Sequence, residues 1–120
     1  MASTVLVVDD HEAFRAAART MLEEMGLHVV AEAGSGEEAL EMFERWQPDI
    51  VLLDIQLPGI DGIDVARKLF GTGSSPVIVL TSSRDAEDYG ARLRALPDAV
   101  FIGKTDLSPA ALAEAVGDTT

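Results

Sequence analysis

The chemistry this sequence can offer lies with Asp9 and Asp10, Asp54, Thr81 and Lys104. Each of these positions closes a short apolar run. Val5–Val8 leads into Asp9-Asp10, Ile50–Leu53 into Asp54, Val77–Leu80 into Thr81-Ser82-Ser83, and Ala99–Ile102 into Gly103-Lys104. Two carboxylates about 5 Å apart repel by roughly 3 kcal/mol at an effective dielectric near 20. A trio needs compensation beyond one lysine. A hard divalent cation with oxygen ligands fits, and Mg²⁺, which keeps waters and shares phosphoryl oxygens, is the natural choice. A carboxylate beside such a metal can attack a phosphoryl group. Lys104 and Thr81 would then supply charge and a hydrogen bond to the transferred group. Any one of these acids reads equally well as a turn or helix cap. Their recurrence on separate strand ends is what caps do not explain.

The elements that must position them follow from periodicity. Continuous apolar runs such as Val5–Val8 and Ile50–Leu53 are too short for helices and do not alternate, so they read as strands buried on both faces. His28–Ala33 alternates, which suits an edge strand. Between the strands the spacing turns helical. Phe14, Ala17, Ala18, Met21, Leu22 and Met25 form one apolar face, stopped by Gly26. Ala39, Leu40, Phe43 and Trp46 form a second behind a Ser35/Glu38 capping box, ending before Pro48. Ile63, Ala66, Leu69 and Phe70 mark a third helix. A polar fourth runs from about Asp85 to Leu96, with Tyr89, Leu93 and Leu96 inward. Ser108 and Pro109 start a fifth, with Leu112, Ala115 and Val116 as its apolar side. Strands alternating with helices predict an α/β fold. Its form is a doubly wound, flavodoxin-like (βα)5 domain with a five-stranded parallel sheet in the order 2-1-3-4-5. In such a sheet all the carboxyl ends lie on one edge, so the chemical residues converge there.

Composition narrows the class. A chain of 120 residues, 48% hydrophobic and 25% charged, is one globular domain rather than a disordered segment. We expect the domain over 1–117, with 118–120 a tail or the start of a linker. The formal charge of −12 argues against this domain binding nucleic acid or an anionic membrane itself. Cysteine is absent, which excludes disulfides and thiolate metal sites. No apolar run approaches a membrane span and the start lacks a signal peptide's pattern, so a cytoplasmic location is expected. His11 and His28 are too isolated for a metal pair and read as structural, with His11 at most on the rim. Gly34-Ser35-Gly36 and Gly71-Thr72-Gly73-Ser74 do not match a nucleotide phosphate loop.

With these pieces in place, the sequence resembles the receiver domain of bacterial two-component response regulators along its whole length. The matching segments are VLVVDDH at 5–11, DIVLLDIQLPGIDG at 49–62, LTSS at 80–83 and FIGK at 101–104. The resemblance implies that Asp54 accepts a phosphoryl group from a histidine kinase. Asp9, Asp10, Asp54 and the backbone carbonyl of Gln56 would hold Mg²⁺. Thr81 would be the switch hydroxyl, Lys104 the basic partner and Phe101 the switch aromatic, while Gln56 and Ser83 occupy positions that tune phosphate lifetime.

Two features set this chain apart within the family. Phe101 replaces the more common tyrosine, and Thr105 stands where many receivers have a cis proline. A cis bond before threonine would cost roughly 3 kcal/mol, so a trans Lys104-Thr105 bond is expected. The Asp-Asp-His start and Lys-Thr-Asp ending look like the NarL/LuxR-type subgroup. Its members usually carry a C-terminal DNA-binding domain, none of which lies in these residues, so either a receiver piece of a transcription regulator or a stand-alone receiver is expected, the piece being favoured. The implied activity is not that of an enzyme acting on other molecules but a switch catalysing only its own phosphorylation and dephosphorylation. Phosphorylation would change the face of the fourth helix, fifth strand and fifth helix, and a homodimer is a further partner the resemblance allows. A Mg²⁺-dependent phosphatase is the competing reading. It usually needs a second acid two residues after the nucleophile, and Gln56 stands there.

Overall fold

The computed structural model describes residues 2–117, so the expected tail at 118–120 lies outside the described residues. Five strands, β1 (Thr4–Val8), β2 (His28–Ala33), β3 (Ile50–Asp54), β4 (Val77–Ser82) and β5 (Val100–Gly103), form one sheet in the order β2-β1-β3-β4-β5. Every pairing is parallel, and the register places Val8 beside Leu53 and Asp54 beside Thr81. The continuous apolar runs of β1 and β3 are explained by position. They are central strands, covered on both faces, and Val5–Val8 and Ile50–Leu53 are all buried.

The helices are α1 (Glu12–Glu24), α2 (Gly36–Trp46), α3 (Gly62–Phe70), α4 (Gly90–Arg94) and α5 (Pro109–Ala115). α1 and α5 cover one face, where Ala18, Leu22 and Leu112 pack on Val5, Val7, Leu52 and Val79. α2, α3 and the residues after α4 cover the other. There Phe43, Ile63, Leu69 and Leu96 pack on Leu6, Val51, Leu53 and Leu80. Ser35, Asp61 and Ser108 cap α2, α3 and α5, each accepting from the backbone N–H three residues on. Asp61, and not Asp54, is therefore the acid that starts α3.

Four local expectations change. The fourth helix does not run from Asp85 to Leu96. A 3-10 turn over Ala86–Asp88 is closed by reciprocal Asp85 and Asp88 capping, and Gly90, at φ +53°, breaks the spiral at the first residue of α4. Trp46 matches the spacing of α2's inner face but is 48% exposed. It is the last residue of a helix running antiparallel to the strands, so it overhangs their amino ends. Ala17 is exposed as well, on the flank of α1. The Ser35/Glu38 box is also displaced, since Glu38 Oε1 accepts from Gly34 N–H at 2.6 Å rather than from Ser35. The Lys104-Thr105 bond is trans, as is every other described peptide bond.

Candidate functional site

The carboxyl edge of the sheet gathers the predicted residues. Asp9 follows β1, and its N–H donates to the Ala33 carbonyl of β2 at 3.0 Å, continuing the ladder past the strand. Asp54 is the last residue of β3 and is only 2% exposed. Its position is fixed from behind, because Ile55 N–H donates to the Thr81 carbonyl at 2.9 Å and Gly62 N–H to the Ile55 carbonyl at 2.8 Å. Asp9, Asp10, His11 and Asp54 each present a ligand atom within 4.8 Å of all the others. Lys104 reaches in from beyond β5, with Nζ 2.7 Å from Asp9 Oδ2 and 3.5 Å from Asp54 Oδ2. The same ammonium lies 4.5 Å from the centre of the Phe14 ring, a cation–π contact that narrows its freedom.

Not every group is satisfied. Asp9 Oδ2 is buried and meets only the Lys104 ammonium among the described residues. Thr81 Oγ1 is buried and unpartnered. Buried polar atoms without partners are uncommon and point to a missing occupant. Three carboxylates gathered around a single ammonium fit a hard cation, and a lone buried hydroxyl beside Asp54 fits an oxyanion placed on that carboxylate.

Electrostatics agrees. The Asp54 carboxyl is pushed up from 3.8 to about 6, first by burial and then by the Asp9 charge, against the pull of Lys104 and the Gln56 N–H. For Lys104, burial is the largest influence and lowers its pKa, but Asp9 and Asp54 together outweigh it and raise the value. At neutral pH Asp54 therefore carries its charge against burial and the neighbouring Asp9, with one ammonium beside it.

This has a measurable consequence. A carboxyl whose folded pKa is raised contributes stability that is complete below 3.8 and is lost as pH climbs through about 6. At about 1.4 kcal/mol per unit the loss reaches roughly 2–3 kcal/mol. Without metal, Asp54→Asn is thus expected to match the parent in denaturant melts near pH 4 and to exceed it by that amount above pH 7. Equal stability at both pH values would contradict the strained-acid account.

Gln56 and Ser83 meet above Asp54, Ser83 Oγ donating to Gln56 Oε1 at 3.2 Å, while Gln56 N–H donates to Asp54 Oδ1 at 3.3 Å. Phe101, half-buried on β5, faces Tyr89 with ring centroids 6.5 Å apart. Sequence spacing missed several contributors. His11 is no isolated residue, since its Nδ1 lies 3.0 Å from both Asp9 Oδ1 and Asp10 Oδ1. Its place directly after the acid pair was the available signal. Arg15, one helical turn further, donates to the Asp9 carbonyl at 2.6 Å. Tyr89 hydrogen-bonds Ser82 at the end of β4 through its phenol, a contact that no periodicity marks. His28 remains outside the site, at the start of β2.

Comparison with known proteins accords with this geometry. The response regulator receiver domain family matches residues 5–115. The Streptomyces coelicolor transcriptional regulatory protein AfsQ1 is 40% identical over 85 residues, which are 71% of this chain and 37% of that protein. The chain thus spans well under half the length of such a curated relative. The signal receiver domain of the putative response regulator NarL from Mycobacterium tuberculosis superposes with a TM-score of 0.84 at 32% identity, covering 98% of this chain and 94% of that one. The CheX-CheY-BeF3-Mg complex from Borrelia burgdorferi contains a chain with a TM-score of 0.82 at 25% identity, covering 97% of this chain and 87% of that one. Among the described residues no helix is long and apolar enough to cross a membrane.

Proposed function

Since this chain belongs to the response regulator receiver domain family of two-component systems, we propose that Asp54 is its phosphoacceptor and that phosphorylation operates the rest as a switch. The observation that carries the reading is the convergence of Asp9, Asp10, Asp54, Thr81 and Lys104 on one edge, with Thr81 Oγ1 buried and unpartnered. An Asp54 oxygen attacks the phosphorus of a kinase phosphohistidine. The new O–P bond forms as the N–P bond breaks, and the histidine ring leaves with the bonding pair and takes up a proton. With a pKa of about 6, Asp54 is largely ionised at neutral pH and so available as a nucleophile. Asp9, Asp10, Asp54 and the backbone carbonyl of Gln56 would hold Mg²⁺, which supplies charge neutralisation to the phosphoryl oxygens. Lys104 balances the remaining charge, and Gln56 with Ser83 stands where water would reach the acyl phosphate.

The new dianion draws the free Thr81 hydroxyl towards it. Phe101 has room to follow, because it lines a groove of about 250 Å³ between the loop after β4 and the turn after β5. Phe101 has no phenol to fix its inward position. Tyr89 supplies one from a different element, bonded to Ser82 beside Thr81 and tilted against the Phe101 ring. Coupling of this kind typically amounts to about 1–3 kcal/mol, enough to bias a dimer or a partner equilibrium through the face of α4, β5 and α5. Tyr89→Phe is expected to leave phosphorylation intact and to shrink the phosphorylation-dependent amide shifts of residues 84–96. Unchanged shifts there would remove Tyr89 from the route.

The partner is a histidine kinase, the domain spans 1–117, and the output is transcriptional through a DNA-binding segment outside these residues, a reading supported by relatives named as transcriptional regulatory proteins. The domain performs no turnover on other molecules. The test is incubation with Mg²⁺ and a small acyl phosphate, followed by intact mass. An acid-stable, base-labile phosphoryl adduct is expected, and a steady release of inorganic phosphate from simple phosphoesters without any adduct would replace this reading with a phosphatase.

A further inference from the structure

We infer that Arg15 is a positioning residue for the cation seat, acting through the backbone of Asp9 rather than through any carboxylate of the seat. This rests on the reading that Asp9 and Asp10 hold Mg²⁺. Asp9 sits where β1 has ended, so its carbonyl has left the sheet ladder while its side chain stays fully buried. Arg15 Nη1 meets that carbonyl at 2.6 Å. The guanidinium is itself held, since Arg15 Nε donates to Glu32 Oε1 at 3.0 Å, and Arg19 Nε takes the other oxygen of the same carboxylate at 2.9 Å. Glu32 belongs to β2, whose Ala33 carbonyl accepts from Asp9 N–H. Both polar groups of the Asp9 backbone are therefore tied to the edge strand, one directly and one through Arg15. The peptide joining Asp9 to Asp10 has its rotation set by this arrangement, and with it the aim of both acids.

Arginine suits the task because its fork serves a carbonyl and a carboxylate at once, which a lysine ammonium on a flexible stem does not. Charge alone argues the other way. Removing a cation from this neighbourhood should make Mg²⁺ bind more tightly, not less. The two effects have opposite signs, so an experiment separates them.

Arg19 provides the control, touching Glu32 and Glu23 but nothing in the seat. Isotope-labelled chains carrying Arg15→Ala, Arg15→Lys or Arg19→Ala would be titrated with magnesium chloride alone, following amide shifts, at a temperature where dispersion shows each folded. We expect Arg15→Ala to weaken Mg²⁺ by about ten-fold. Arg15→Lys, which conserves charge, should weaken it by a smaller factor, and Arg19→Ala should stay within about two-fold of the parent. Parent-like or tighter binding by Arg15→Lys and by any folded Arg15→Ala would overturn the inference. If Arg15→Ala does not fold, Arg15→Lys decides alone. A parent chain with no saturable Mg²⁺ binding would instead remove the seat itself, and this inference with it.

Discussion

Asp54→Asn is expected to abolish the phosphoryl adduct while leaving a folded and, above pH 7, more stable protein. The amide is close to isosteric with the carboxylate, so Gly62, Ile55 and Thr81 keep the backbone contacts that fix the end of β3. What is lost is the nucleophilic oxygen, along with one of the acids that crowd Lys104. The remaining acids cannot replace it. Asp9 is engaged by Lys104 and by the His11 N–H, and Asp10 stands on the exposed rim. Adduct formation should therefore fall below detection, not merely by a factor of a few. Lys104→Ala makes an informative companion, because it retains the nucleophile and removes the only cation that touches it among the described residues. A slower but finite adduct is expected there. An equal adduct on Asp54→Asn would place the acceptor elsewhere and dismantle the proposal.

The second large effect concerns a residue that does no chemistry. Gly62→Ala is expected to destabilise the fold by about 3 kcal/mol or more, an appreciable share of a typical total of about 5–15 kcal/mol. A Cβ at Gly62 would press on the Asp54 carbonyl and lie 2.8 Å from Ile55 Cα. Backbone atoms of a central strand cannot step aside as a flexible side chain would, so α3 must lift or the end of β3 must shift. Either displaces Asp54. Gly26→Ala supplies the comparison, since Gly26 has φ +88° and nothing within 4 Å. There only backbone strain is felt, about 1 kcal/mol. Denaturant melts of the two variants should differ accordingly, and only Gly62→Ala should also slow phosphorylation. Equal melts would mean that α3 accommodates the methyl freely.

Much of this was legible because parallel sheets write themselves plainly. Val5–Val8 and Ile50–Leu53 are apolar at every position, which only burial on both faces explains, and a polar residue directly after such a run must lie at the carboxyl edge. Topology then brings Asp9, Asp54, Thr81 and Lys104 together without further information. The failures have equally definite causes. Trp46 obeys helical spacing, but spacing does not say where the sheet beneath runs out. The residues from Asp85 to Leu96 have a helical composition, while Gly90 adopts a left-handed backbone that composition leaves open. Arg15 and Glu32 lie on different elements, and their meeting at Asp9 depends on β2 pairing with β1 in one register. His11 was readable in hindsight. Adjacency to the acid pair outweighs the absence of a second histidine.

The segment from Ala86 to Arg94 contains no buried residue in either its 3-10 turn or α4. Such a surface is cheap to redesign. Apart from Tyr89 and Leu93, which lean on the core from outside, substitutions there open no cavity, so natural variation can explore new partners at little risk to the fold. By contrast, α3 carries five buried residues, which leaves it little licence to change. A lineage of such domains should therefore diversify its listeners through one weakly anchored helix while its reaction centre stands still.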